Sequence, residues 1–265
     1  MGVRITGKEF CVIKVKGYEV KPTIFPDKTS QVWKLPDNIL LGYETDVYWD
    51  FENENEIIHF AQLVNILRSR GLKVAVHISY LPYARQDKEV NNQQTFALRT
   101  FANILNSLNL SKVYCLDVHS SIAKDIIDNL IDISPAFYIA KAAEGTKADL
   151  FCYPDNGAAK RYSNLFPNIP IEYVVADKVR NQATGVIEKL SFVPECQKKI
   201  KGKRILIVDD ICDGGWTFQA TATELYAHGA KSVNLYVSHG VFSKGLGPLR
   251  ESKIKKIYTH KGEVK

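Results

Sequence analysis

Short apolar runs alternate with stretches of helical period along most of this chain, and few folds accept that order. Lys73-Val-Ala-Val-His-Ile-Ser-Tyr80 alternates, with Val74, Val76, Ile78 and Tyr80 on one face of a strand. Upstream, Ile57, Ala61, Val64 and Leu67 or Arg68 fall near helical spacing and predict a helix over 55–70. Downstream, Ala97, Phe101, Ile104, Leu105 and Leu108 repeat on one helical face, with Asn91 or Asn92 as the cap. Lys112–Val118 reads as a second strand. Helix, strand, helix, strand predicts a parallel sheet with helices on its faces.

The second half follows the same scheme. Strands are expected at 149–153, 171–176, 204–210 and 232–237, and helices at 158–165 and 217–228. No sequence repeat of fixed period is present; the two halves share only a design. The least regular stretch, about 130–147, marks the boundary between a domain over 1–137 and one over 138–265. Residues 1–50 are strand-rich, cut into short pieces by Pro22, Pro26 and Pro36. The expected fold class is α/β: two similar domains, each a mostly parallel sheet flanked by helices.

Composition narrows the function classes. With 265 residues, 45% of them apolar and 24% charged, the chain can bury a sizeable core. No apolar run nears the roughly 20 residues of a membrane span. Arg4, Lys8 and Glu9 interrupt any signal peptide. Met1-Gly2 with Thr6 fits a myristoylation pattern, and equally the lead into a first strand. The net charge is +6, yet the basic residues do not cluster with aromatics, which argues against nucleic acid. Lys198–Arg204 is the one basic run and reads as a solvated loop before a strand. A positive field also suits a protein that handles polyphosphates. The five cysteines are odd in number and form no C-x-x-C pair. They point to a reducing, cytoplasmic setting without disulfides or zinc.

The strongest constellation runs from Ile205 to Thr217. Four apolar residues lead into Asp209 and Asp210; Asp213, Gly214, Gly215, Trp216 and Thr217 then open a helix. Ligands of open α/β sheets bind at the carboxyl ends of strands, and helix N-termini take phosphate. Asp209 and Asp210 can accept hydrogen bonds from neighbouring sugar hydroxyls or hold Mg²⁺ through water. A plain strand-to-helix turn capped by Asp213 is the bland alternative, but it leaves the adjacent acids unexplained. The loop after Tyr80 carries Arg85, Gln86, Asp87 and Lys88. The guanidinium suits phosphate oxygens, and Gln86 could read a base edge. On chemistry alone, many loops look like this.

Together these segments resemble known families. Ile205–Thr217 resembles the PRPP-binding motif of type I phosphoribosyltransferases and of PRPP synthetases (ribose-phosphate pyrophosphokinases). Tyr80–Lys88 resembles the Y-x-P-Y-A-R-Q-D-[KR] segment of the synthetases alone. Other matches follow in order over about residues 20–245. Phe25 and Asp27 resemble a segment that reaches the adenine site of a neighbouring subunit. His119 resembles the histidine that binds the metal-nucleotide. Asp155 resembles the aspartate that holds Mg²⁺. Lys178 and Arg180 resemble the start of a catalytic loop, taken as a lid over 178 to about 203.

The resemblance implies transfer of a diphosphoryl group from Mg-ATP to ribose 5-phosphate. Arg85, Gln86, Asp87, Lys88 and His119 would hold ATP, and Asp209, Asp210 and Asp213–Thr217 the sugar phosphate. Lys178 and Arg180 would be catalytic, with Mg²⁺ at His119 and Asp155. It further implies a homo-oligomer, at least a dimer. The chain departs from the pattern in three places. Lys28 and Thr29 replace Gly-Glu, Trp216 replaces a glycine, and no C-terminal helix is expected after Tyr258, where the family's hexamer and allosteric control have their basis. A non-catalytic subunit of the same family, or a phosphoribosyltransferase that consumes PRPP, are the alternatives.

Overall fold

The computed structural model describes residues 13–40, 42–89, 93–166, 172–180 and 187–265. The chain divides into two compact units that meet in sequence at Ser134/Pro135.

In the amino-terminal unit, β1 (Ile13–Val15) and β2 (Tyr18–Glu19) form a hairpin, and β3 (Thr23–Ile24) and β4 (Ser30–Gln31) a separate ribbon. Pro22 and Pro26 stand between and beyond these pieces, which is why each is so short. The parallel strands are β5 (Glu44–Trp49), β6 (Lys73–Ile78), β7 (Lys112–Leu116) and β8 (Leu130–Ile133). The sheet order is β2-β1-β5-β6-β7-β8, with β1 antiparallel to β5.

Helix α1 (Asn55–Ser69) buries Phe60, Leu63, Val64 and Leu67, so its core stripe is one residue round from the expected one. Buried Glu56 reaches back to accept from the Asn53 backbone N–H (3.1 Å) and amide (2.7 Å), and from the Trp49 indole (3.1 Å). Gly71, at φ +82°, ends the helix. Helix α2 (Ala97–Ser107) buries Leu98, Phe101, Ala102 and Leu105, while Ile104 faces solvent. It begins at Ala97 with Phe96 at the cap position; Asn91 and Asn92 lie outside the described residues. The short α3 (Ala123–Ile126) completes the unit.

The stretch expected to be irregular is not. It holds β8 and then α4 (Ala136–Thr146), which buries Ile139, Ala142 and Ala143. Its small residues carry little apolar signal, so pattern reading passes over it. The carboxyl-terminal unit continues with β9 (Leu150–Tyr153), α5 (Asn156–Tyr162), β10 (Tyr173–Val175), a ribbon of β11 (Asp177–Arg180) and β12 (Ile187–Ser191), and α6 (Pro194–Ile200). Then come β13 (Arg204–Cys212), α7 (Trp216–Ala227), β14 (Ser232–Gly240), α8 (Gly247–Glu251), β15 (Ile254–Thr259) and β16 (Gly262–Val264). The sheet order is β10-β9-β13-β14-β15-β16, parallel but for β16.

The faces of this second sheet are both covered. Ile205 and Ile207 of β13 pack into one apolar cluster with Phe218 and Leu225 of α7. Leu206 and Val208 pack into another with Ile139 of α4 and Tyr162 of α5. That is why β13 reads as a continuous apolar run instead of alternating. Lys198 and Lys199 lie on α6, not in a loop, and Lys199 pairs with Glu172 at 3.6 Å.

Candidate active site

In the amino-terminal unit, parallel β6 and β7 deliver their following loops to one edge of the sheet. The loop after β6 is anchored by Leu81 and Ala84, each 1% exposed. Tyr83 holds φ +62° and donates to Glu54 at 2.6 Å, and Gln86 N–H donates to the Tyr83 carbonyl at 2.8 Å. Burial is the main reason the Tyr83 hydroxyl is pushed up to about 12. Between these anchors Arg85, Gln86 and Lys88 remain exposed, and Asp87 partly so. His119 follows β7 at the same edge, half-buried, two residues after buried Asp117 at φ +45°. A cavity of about 550 Å³ opens beside Gln86, walled by Phe51, Tyr80, Tyr83 and Glu54. Phe25 and Asp27 sit at the exposed tip of the β3–β4 ribbon. There Asp27 accepts from the Thr29 hydroxyl (2.7 Å) and backbone N–H (3.0 Å), which lowers its pKa.

In the carboxyl-terminal unit the acids are held differently from the expectation. β13 does not end at Asp210 but continues beside β14 to Cys212. Asp209 and Asp210 therefore project to opposite sides of an extended strand instead of side by side. Asp210, 6% exposed, lies on the α5 side and meets Arg161 at 2.7 Å. Asp209 is half-buried and accepts the Asp210 backbone N–H at 2.9 Å. β9 pairs with β13 only over Ile205–Ile207, so both acids stand past that pairing.

The turn Asp213-Gly214-Gly215 then opens α7 at Trp216. Gly215 adopts φ +81°, and a Cβ there would come within 3.0 Å of Leu249. The start of a helix leaves backbone N–H groups without intrahelical partners. The Trp216 side chain is 72% exposed, so the indole stands out from the turn. Burial pushes the neighbouring Cys212 thiol up to about 12, so it is no thiolate nucleophile at neutral pH.

Asp155 caps α5 by accepting the Ala158 N–H at 3.0 Å. Lys178 and Arg180 lie on β11, backbone-paired with Leu190 and Ile187 of β12. The carboxyl-terminal part of the stretch 178–203, expected as a lid, lies in the core. Phe192 and Ile200 are 3% and 0% exposed in the unit's core, which ties down everything from the end of β12 onward. Sequence reasoning missed Arg161. The only signal was a basic residue six positions after Asp155, near the end of a short helix.

Among the described residues no group of three or more His, Cys, Asp or Glu side chains is built to cage a metal. Mg²⁺ takes few protein ligands and keeps water and phosphate oxygens, so isolated carboxylates at a strand end fit it.

The family of phosphoribosyl transferase domains matches residues 136–264, so the carboxyl-terminal unit is a domain of that class. A crystal structure of phosphoribosylpyrophosphate synthetase from Mycobacterium smegmatis superposes with a TM-score of 0.74. It is 19% identical and covers 91% of this chain and 79% of that one, which establishes the type I phosphoribosyltransferase-like fold. The ribose-phosphate pyrophosphokinase of Mycoplasmopsis pulmonis is 26% identical over 262 residues, 94% of this chain and 78% of the relative. That of Granulibacter bethesdensis is 28% identical over 198 residues, 73% of this chain and 62% of the relative. Over most of its length the chain is similar to ribose-phosphate pyrophosphokinases. No described helix is long and apolar enough to cross a membrane.

Proposed function

We propose that the chain is a ribose-phosphate diphosphokinase, which transfers the diphosphoryl group of Mg-ATP to the C1 hydroxyl of ribose 5-phosphate. One observation carries this reading above a PRPP-consuming transferase. The Arg85–Lys88 loop and His119 share the carboxyl edge of a separate amino-terminal sheet. A transferase that only consumed PRPP would have no use for that edge.

The adenine would enter the cavity beside Gln86, whose aromatic walls suit a base and whose carboxylate repels phosphate. Arg85 and Lys88 would take the phosphates. The sugar phosphate would sit on the backbone of Asp213–Thr217, with Asp209 towards a ribose hydroxyl. Asp210, neutralised by Arg161, would orient the strand end more than bind sugar directly. The C1 oxygen attacks the β-phosphorus, the bond from that phosphorus to the oxygen bridging it to the α-phosphate breaks, and AMP leaves with that oxygen. The C1 hydroxyl proton passes to solvent or a nearby base. Lys178 and Arg180 would offset the charge that develops on the transferred group. Mg²⁺, held with the nucleotide near His119 and with the sugar near Asp155, would neutralise phosphate charge. The working form would be a cytoplasmic homo-oligomer, at least a dimer, with Phe25 and Asp27 reaching a neighbour's adenine.

A non-catalytic subunit is the second reading, favoured by Trp216 in the phosphate turn and by Lys28-Thr29 after Asp27. AMP release from Mg-ATP, with and without ribose 5-phosphate, separates the two while PRPP is followed in parallel. We expect AMP and PRPP in equal amounts, and only with the sugar phosphate present. Folded protein that binds ATP but releases no AMP sinks the enzymatic reading.

A further inference from the structure

The cavity beside Gln86 carries polar groups that differ in what they can tell apart. No described residue lining it is basic; its polar side chains are amides, carboxylates and phenols. Asn53 is already committed. Its amide donates to Glu56 at 2.7 Å, and its side-chain oxygen accepts the Asn55 N–H at 3.1 Å. The amides of Asn55 and Gln86 each carry a donor and an acceptor and can turn either way, so an amino or an oxo group on a base suits them equally. A carboxylate only accepts. Glu54 is therefore the group able to choose between bases. Glu52 lines the same cavity, but no described hydrogen bond or ion pair fixes its side chain.

Glu54 is not presented whole. The Tyr83 hydroxyl donates to its Oε1 at 2.6 Å, and Oε2 accepts no hydrogen bond from any described residue. Tyr83 is held rigidly in that place. Its ring lies 5.5 Å from Phe101, which is 1% exposed, and 6.4 Å from Phe51. Its carbonyl accepts the Gln86 N–H at 2.8 Å. The hydroxyl stays protonated at neutral pH and remains a donor. Adenine brings to such a site one donor group, the 6-amino group, beside the ring nitrogen N1, which an amide can serve. Guanine brings two adjacent donors, N1–H and the 2-amino group, which match the two oxygens of an unoccupied carboxylate.

We propose that the Tyr83–Glu54 pair sets which purine nucleotide this cavity takes. It leaves one carboxylate oxygen for the 6-amino group of adenine and denies guanine the paired oxygens. The inference rests on the reading that a nucleotide base enters this cavity, and it adds the groups that choose the base.

Dissociation constants of Mg-ATP and Mg-GTP for the full chain, measured without sugar phosphate, test it independently of turnover. Wild type should prefer ATP at least about 10-fold, the size of one charge-assisted hydrogen bond. Tyr83→Phe keeps the ring and frees Oε1. It should bind GTP about 10-fold more tightly than wild type does, with ATP changed less than about 3-fold. In Tyr83→Phe/Glu54→Gln that gain should vanish, because an amide offers a single acceptor. Circular dichroism confirms the fold of each variant. Equal binding of both nucleotides by wild type overturns the proposal. So does a Tyr83→Phe protein with the wild-type ratio, or a double variant that keeps the gain. PRPP formation is followed in parallel with each nucleotide. Ratios that shift as expected while no PRPP forms would sink the enzymatic reading and uphold this one. PRPP formed from ATP with the ratio unmoved in Tyr83→Phe would sink this one alone.

Discussion

Arg161 and Asp210 meet where a strand of apolar residues turns polar. The carboxylate is nearly buried, and a guanidinium on α5 offsets its charge. Arg161→Leu would take the guanidinium from a buried carboxylate and should cost on the order of 3 kcal/mol. Denaturant unfolding reads this directly. Removing both charges in Arg161→Leu/Asp210→Leu should recover most of the loss, and equal stability of the single variant and wild type would show the pair to be idle. Lys178 is a separate case, since it lies on a two-stranded ribbon. Lys178→Ala should abolish turnover, at least about 100-fold, while the affinity for ATP stays near wild type. Near-normal turnover in that variant would remove Lys178 from the chemistry.

At the scale of elements, register matters more than composition. β13 is central in its sheet, and its entry is fixed by Arg204. The Arg204 backbone N–H and guanidinium both reach Asp149, at 2.8, 3.0 and 2.6 Å. The clamp sets where β13 starts beside β9, and so how far Asp209 and Asp210 overshoot. Arg204 holds the Asp149 carboxyl below its ordinary value of 3.8. A depressed folded-state pKa contributes stability above the unfolded value, and that contribution is lost as pH falls through the folded value. Melting temperature followed from pH 7 downward should therefore drop below about pH 4, and less steeply in Asp149→Asn. Identical acid profiles for both proteins would mean the clamp is open in solution. Elements were legible where period was strong. β6 follows from alternation, β13 from its continuous apolar run and α1 from helical spacing. α4 was not, because Ala142, Ala143 and Gly145 give no amphipathic contrast, and its burial against β13 is visible only in three dimensions.

For the whole molecule, two units of like design carry different halves of one proposed reaction, and each puts its loops at the carboxyl edge of its own sheet. The division of labour was readable in the chain. The order of strand, loop and helix predicted parallel sheets, and parallel sheets send their following loops to a single edge. The residue types in those loops, Arg85 to Lys88 and Asp213 to Thr217, named phosphate chemistry without any coordinates. Other features needed the tertiary structure. It separated Asp209 from Asp210 onto opposite faces, because β13 continues four residues beyond its apolar run, to Cys212. It joined Asp210 to Arg161, a contact across 49 positions of sequence that no local pattern encodes. It also put the apolar cluster of the amino-terminal unit on the side of α1 and α2. Alternation within each strand follows from the sequence, but which side is packed depends on where every other element has gone.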